Sequence, residues 1–177
     1  MKRTAAAALA ALPLLAGSLL ATATALPAQA DDRVCSGSIG NVPVDDNLVV
    51  PKGATCVLKG TVIEGNVEVE DRGVLRARGV TVDGNIQAED ARRVVVRPLD
   101  GQRSVVEGNI QLDDGRRGGK ILRTVVDGDI QLFDNRGRFV VRGNVVNGNL
   151  QCKSNKPKPR GRNNLVEGDK EGQCRKL

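Results

Sequence analysis

Beyond residue 30 the apolar residues fall in short alternating runs, and no stretch keeps helical spacing over ten residues. One six-residue pattern recurs: apolar, acidic, Gly, Asn or Asp, apolar, Gln or Glu. It starts at Ile63, Val82, Val106, Val126, Val146 and, in a worn form, Val166. Its glycines, Gly65, Gly84, Gly108, Gly128, Gly148 and Gly168, are 19, 24, 20, 20 and 20 residues apart. Between the hexads lie β-branched runs such as Val94-Val95-Val96 and Phe139-Val140-Val141, separated by Gly, Asp, Asn and Arg. Each repeat therefore predicts about three short strands and three turns. A unit of 20 residues cannot bury its own apolar face, but stacked units can. The pattern predicts an all-β chain: a parallel β-helix, or β-solenoid, of five to six coils. The elastic period, with its one 24-residue coil, suits a right-handed winding.

Stacking at about 4.8 Å turns equivalent positions into columns. Ile63, Val82, Val106, Val126, Val146 and Val166 form one aliphatic column. Val67, Ile86, Ile110, Ile130 and Leu150 form a second; Val69, Ala88, Leu112, Leu132 and Cys152 form a third. Such a core needs few aromatics, and the chain has two, Phe133 and Phe139. Asn66, Asn85, Asn109 and Asn149, with Asp129 and Asp169 as substitutes, predict a side-chain ladder at one turn. The adjoining glycines supply either positive φ or close backbone approach. Gln87, Gln111, Gln131 and Gln151 predict an outward ladder.

Four cysteines sharpen the ends. Cys35 and Cys56 are 21 residues apart, Cys152 and Cys174 are 22 apart, and both spans are about one coil. Residues one coil apart fall within the 4.4–6.8 Å Cα window of a disulfide. Sequence proximity thus favours Cys35–Cys56 and Cys152–Cys174 among three pairings, each stapling a terminal coil to its neighbour. Lys156-Pro157-Lys158-Pro159 further discourages edge pairing.

The first thirty residues are a separate segment. Lys2 and Arg3, an Ala/Leu-rich run and Ala28-Gln29-Ala30 read as a secretory leader cleaved after Ala30, with residues 31–177 forming the β-helix domain. The run is too short and alanine-rich for a membrane span, and the remaining chain offers none. An exported chain with an even cysteine count fits disulfides. The formal charge of the whole chain is +6; losing Lys2 and Arg3 leaves 25 bases against 21 acids, +4.

Composition then restricts the chemistry. The chain has no His, Trp or Tyr. Triads of the Ser/His or Cys/His type and Cys/His zinc sites are excluded, and stacking of bases on aromatic platforms, with it nucleic-acid binding, is not expected. Glu64, Asp83, Glu107 and Asp127 form an acidic column with Asn147 and Glu167, the candidate Ca²⁺ site of this chain. Glu70-Asp71, Glu89-Asp90, Asp113-Asp114 and Asp134 form another, followed by Arg72, Arg92, Arg93, Arg116, Arg117 and Arg136. Lys153 to Arg162 carries five bases and no acid, which suits an anionic cell-envelope polymer such as a teichoic acid or acidic polysaccharide. Arg97 to Arg103 holds the extra residues of the long coil. Gly115-Arg116-Arg117-Gly118-Gly119-Lys120 is not a phosphate loop, since the first Gly is misplaced and no Ser/Thr follows.

The segment Asp46-Asn47-Leu48-Val49-Val50-Pro51-Lys52-Gly53-Ala54-Thr55-Cys56, the Val106–Gln111 type of repeat and the ending Gly168-Asp169-Lys170-Glu171-Gly172-Gln173-Cys174 resemble small secreted actinobacterial proteins of no assigned activity. That resemblance implies a secreted β-helix. The Gly-Asn-aliphatic repeats are also distantly similar to bactofilins, which polymerise end to end; the leader and cysteines depart from that group. The expected role is a secreted, non-enzymatic structural or binding protein of the cell surface or medium, with a cell-envelope polymer or a second copy as partner and no cofactor. The alternative is a Ca²⁺-dependent protein that binds or cleaves polysaccharide, similar to β-helix lyases in its surface carboxylates and arginines.

Overall fold

The computed structural model describes residues 32–177. The expected leader, residues 1–30, lies outside the described residues. The described chain contains strands and turns and no helix. Its strands stack into three parallel sheets. Eight strands, from Arg33–Val34 to Lys170–Gly172, make what we call the amide sheet. The basic sheet comprises Gly37–Ile39, Thr55–Lys59, Val74–Arg78, Arg93–Arg97, Gly119–Leu122, Phe139–Arg142 and Arg160–Arg162. The valine sheet comprises seven two-residue strands from Pro43–Val44 to Leu165–Val166.

Each coil visits the three sheets in turn, so the described chain is a β-solenoid of about seven turns. The hexad count predicts five to six. The additional winding is N-terminal, where Asp46-Asn47-Leu48-Val49-Val50 fills the hexad position without its glycine. Leu48–Val50 pairs in register with Val67–Val69.

The aliphatic columns form as expected. Ile86 pairs with Val67 on one side and Ile110 on the other, and this register continues through Ile130 to Leu150. All five side chains have zero solvent exposure. Val82, Val106 and Val126 are equally enclosed, while Val166 on the last coil is half-buried. Phe139 is buried where Gly115 and Gly119 of the preceding coil carry no side chain. A Cβ on Gly119 would lie 2.9 Å from its ring, and one on Gly115 would lie 3.1 Å from it. Gly115 and Gly119 thus make room for the one aromatic ring of the core.

The disulfides Cys35–Cys56 and Cys152–Cys174 join neighbouring coils, with Cα atoms 5.5 and 5.2 Å apart. At the C-terminal end the chain turns under the last coil. Cys174 is fully enclosed, Leu177 packs against the core, and the Leu177 N–H donates to the Cys174 carbonyl at 2.9 Å.

The long coil forms a two-residue hairpin. Leu99 and Gln102 exchange backbone hydrogen bonds of 3.0 and 2.8 Å around Asp100-Gly101, both at positive φ. Asp-Gly is the pair that such a turn favours. Ser104 closes its base, donating to the Arg97 carbonyl at 3.0 Å and accepting from the Val80 N–H at 3.3 Å.

Candidate anion-binding face

The corners fix what the faces can present. At the corner entering the amide sheet, Asn66, Asn85, Asn109 and Asn149 each donate a backbone N–H and the side-chain amide to the carboxamide or carboxylate oxygen one coil earlier. Asp129 and Asp169 donate only their N–H, to Asn109 and Asn149. The ladder starts earlier than the hexads do, at Asn47, whose Nδ2 donates to Asp32 at 3.1 Å. Of the two roles expected for the hexad glycines, close approach is the one realised; none of them has a positive φ. A Cβ on Gly65, Gly84 or Gly108 would stand 2.6 Å from the Asn oxygen of the coil before.

The other two corners carry ladders that the hexads do not reveal. Asn135 donates its amide to the Leu112 carbonyl at 2.8 Å and to Asn155 at 2.8 Å, and Asn155 donates onward to Gln173 at 3.0 Å. Asn144 donates to the Ile121 carbonyl at 3.0 Å and to Asn164 at 2.9 Å. Both pairs are spaced by 20 residues, and that period was their sequence signal. These ladders satisfy backbone groups that corners would otherwise leave buried and unpaired. The Gln column is in register, but only Gln131 and Gln151 bond each other, at 3.0 Å; Gln111 turns to Asp113 at 2.8 Å.

The acidic candidates Glu64, Asp83, Glu107 and Asp127 stand exposed in single file, one per coil, and Asn147 donates to Asp127 at 2.9 Å. Among the described residues no three acidic or cysteine side chains gather in a metal-holding group. The second acidic column has a conformational origin. Asp90, Asp114 and Asp134 occupy the left-handed region at φ 52°, where aspartate is enriched among non-glycine residues.

Asp71 lies 3.2 Å from Lys52, 3.3 Å from Arg72 and 3.7 Å from Arg116; Arg116 also meets Asp90 at 2.8 Å. Desolvation pushes the Asp71 carboxyl up, but the Lys52 hydrogen bond and the charges of Arg72, Lys52 and Arg116 outweigh it and hold it below the ordinary aspartate range. Asp113 is shifted the other way. Burial raises it most, the charges of Asp114 and Asp134 add to that, and hydrogen bonds from Gln111 and the Phe133 backbone offset part. Lys52, Arg72, Arg92, Arg116 and Arg117 surround an open groove of about 500 Å³ at this corner.

Around that corner lies the face that register, not the hexads, defines. The strands of the basic sheet contain Lys59, Arg76, Arg78, Arg93, Arg97, Lys120, Arg142, Arg160 and Arg162, and no acidic residue. Seven alternate with buried core residues, and Arg160 and Arg162 flank Gly161 in the same register, so the side chains of all nine point outward. None has a carboxylate within 4.0 Å among the described residues.

Cross-strand pairing arranges the nine in columns. Lys59, Arg78 and Arg97 are consecutive rungs of one; after Leu122 it resumes with Arg142 and Arg162. The adjacent column alternates apolar and basic rungs: Val57, Arg76, Val95, Lys120, Val140, Arg160. The expected basic segment Lys153–Arg162 is divided by the fold. Lys153 ends an amide-sheet strand, while Arg160 and Arg162 complete the basic face. Its sequence signal was alternation, as in Val74-Leu75-Arg76-Ala77-Arg78.

The fold and this face together define a disulfide-stapled parallel β-solenoid in which the charged residues of one sheet's strands are all basic. Comparison with protein-family models, curated proteins and solved structures found no match.

Proposed function

We propose that this chain is an exported, non-enzymatic binding protein that holds an anionic polymer against its basic sheet, at the cell surface or in the medium. The observation that carries this reading is a face of nine bases with no acid in its strands. Like charges on neighbouring rungs repel, at a cost to folding that a polyanion relieves. Two disulfides suit an oxidising compartment, and the leader read at residues 1–30 supplies the route. The covered C-terminal end favours lateral binding over stacking of coil upon coil.

The test is retention of the disulfide-bonded protein on an immobilised anionic polymer and on its neutral counterpart. Retention on the anionic matrix alone, lost on raising salt from 50 to 500 mM (on the order of a threefold fall in screening length), is expected. Replacing Arg78, Arg97 and Arg142 by Gln should abolish retention without lowering the melting temperature. Full retention by that triple variant overturns the assignment to this face.

A further inference from the structure

The geometry points to a ligand class and a binding direction: an extended anionic polysaccharide with an acidic group on each sugar, lying along the solenoid axis across the strands. This inference rests on the polyanion reading and deepens it.

The first ground is the lattice of charge. Six consecutive strands, from Thr55–Lys59 to Arg160–Arg162, each present at least one base. Adjacent strands are about 4.8 Å apart, so the row spans about 24 Å. A β-1,4-linked pyranose chain advances by nearly one strand spacing per sugar. Successive sugars are turned over, so their carboxylates or sulfates emerge on alternate edges of the ribbon and can meet successive coils alternately in the two columns. A ligand laid along a strand, by contrast, finds two outward bases at most, as on Arg93–Arg97.

The second ground is what lies between the bases. Val57, Val95, Leu122 and Val140 are half-buried members of the same two columns. Val95 and Leu122 line a groove of about 310 Å³ with Arg76, Arg78, Arg97 and Lys120. Lys120, Leu122, Val140 and Arg142 line its continuation, of about 630 Å³. Alternating apolar floor and cationic rim suits sugar rings, which carry C–H faces and acidic substituents. A polyphosphate chain has no apolar face to set against these valines.

The third ground is Arg78. Its Nε is shielded from solvent and meets no hydrogen-bond acceptor. Arg78 occupies the second of the three consecutive rungs Lys59, Arg78 and Arg97. A carboxylate or sulfate over that rung draws the side chain outward and takes the Nε–H and one terminal N–H together, the bidentate geometry that arginine favours.

The experiment is a chain-length series measured by calorimetry on the wild-type, disulfide-bonded protein. The probes are β-1,4-linked oligomannuronates of two to twelve sugars, neutral cello-oligosaccharides of the same lengths, and linear polyphosphates matched in charge. Oligomannuronate affinity is expected to rise with each added sugar up to about six, and then to level off. The hexamer should bind at least tenfold tighter than the charge-matched polyphosphate, and the neutral series should not bind. Arg78→Gln should weaken the hexamer at least tenfold and the dimer far less.

A plateau at two or three sugars overturns the axial direction. Polyphosphate binding as tight as the uronate overturns the ligand class and leaves the basic-sheet reading standing. No binding by any polyanion overturns both.

Discussion

At the residue scale, the hexad glycines are defined by what stands beneath them. A methyl group on Gly108 would enter the space of the Asn85 side-chain oxygen at 2.6 Å and of the Gly84 carbonyl at 2.8 Å. Since the Asn oxygen accepts two hydrogen bonds from the next coil, it cannot yield without breaking them. Gly108→Ala should therefore cost about 1–3 kcal/mol by denaturant unfolding, in the range of overpacking. Gly40→Ala, with no atom within 4 Å of the added carbon, should be neutral. Equal costs at both positions would count against the ladder as the cause. Asp113 gives a pH-dependent case. Its raised native pKa means that ionisation works against folding. That handicap is absent below the ordinary aspartate value of 3.8 and grows as pH rises through it and through the native value. Asp113→Asn should raise the melting temperature at pH 7 and leave it unchanged at pH 3; a shift of equal size at both would exclude titration as the origin. The sequence made the Asn66-to-Asn149 ladder readable because every rung sits beside a glycine. It hid Asn135, Asn144, Asn155 and Asn164, whose neighbours share no pattern: Asp134 and Arg136, Gly143 and Val145, Ser154 and Lys156, Asn163 and Leu165.

At the element scale, two-residue strands such as Val125–Val126 have almost no independent stability and depend on both neighbours. The ends are then the weak points, and both are stapled. Replacing Cys35 and Cys56 together by serine closes no loop in the unfolded chain and should cost about 3 kcal/mol, the value for a loop of this size. Hydrogen exchange should localise the loss to residues 33–59, and uniform loss along the chain would contradict a local staple. Phe139 behaves as an element of its own. It fills the space over Gly115 and Gly119 and lines, with Ala88, Ala91 and Leu112, a residual cavity of about 10 Å³. Phe139→Ala should cost about 3–5 kcal/mol, more than any single valine of the stack. Sequence pattern located the strands well because alternation and β-branching are local. It missed the first turns because Asp46 stands where the hexad has glycine, at the end of the stack where the preceding rung is the exposed Asp32.

At the scale of the molecule, one winding rule sorts the side chains onto three unlike faces: amides and acids, bases, and an outward column of Val62, Thr81, Val105, Val125, Val145 and Leu165. Composition reduced this to a modest net charge, since the carboxylates of the amide sheet and corners cancel most of the bases in the sum. Only the register of each strand on the next separates them in space. That is why the Lys153–Arg162 cluster was visible in the chain and the larger basic face, assembled from six strands distant in sequence, was not. The constant rung spacing has a further consequence. From Gly108 onward the period holds at 20 residues, and the rungs before and after each coil are chemically alike. Under the proposed axial binding such a chain is a ruler: its coil number sets how long a polymer it can measure out along one edge. An in-frame copy of residues 128–147 should add one graduation, keep both stapled ends, and move the oligomannuronate plateau outward by one sugar. A gene for this protein can therefore tune reach by whole repeats, through duplication alone, without redesigning a single contact.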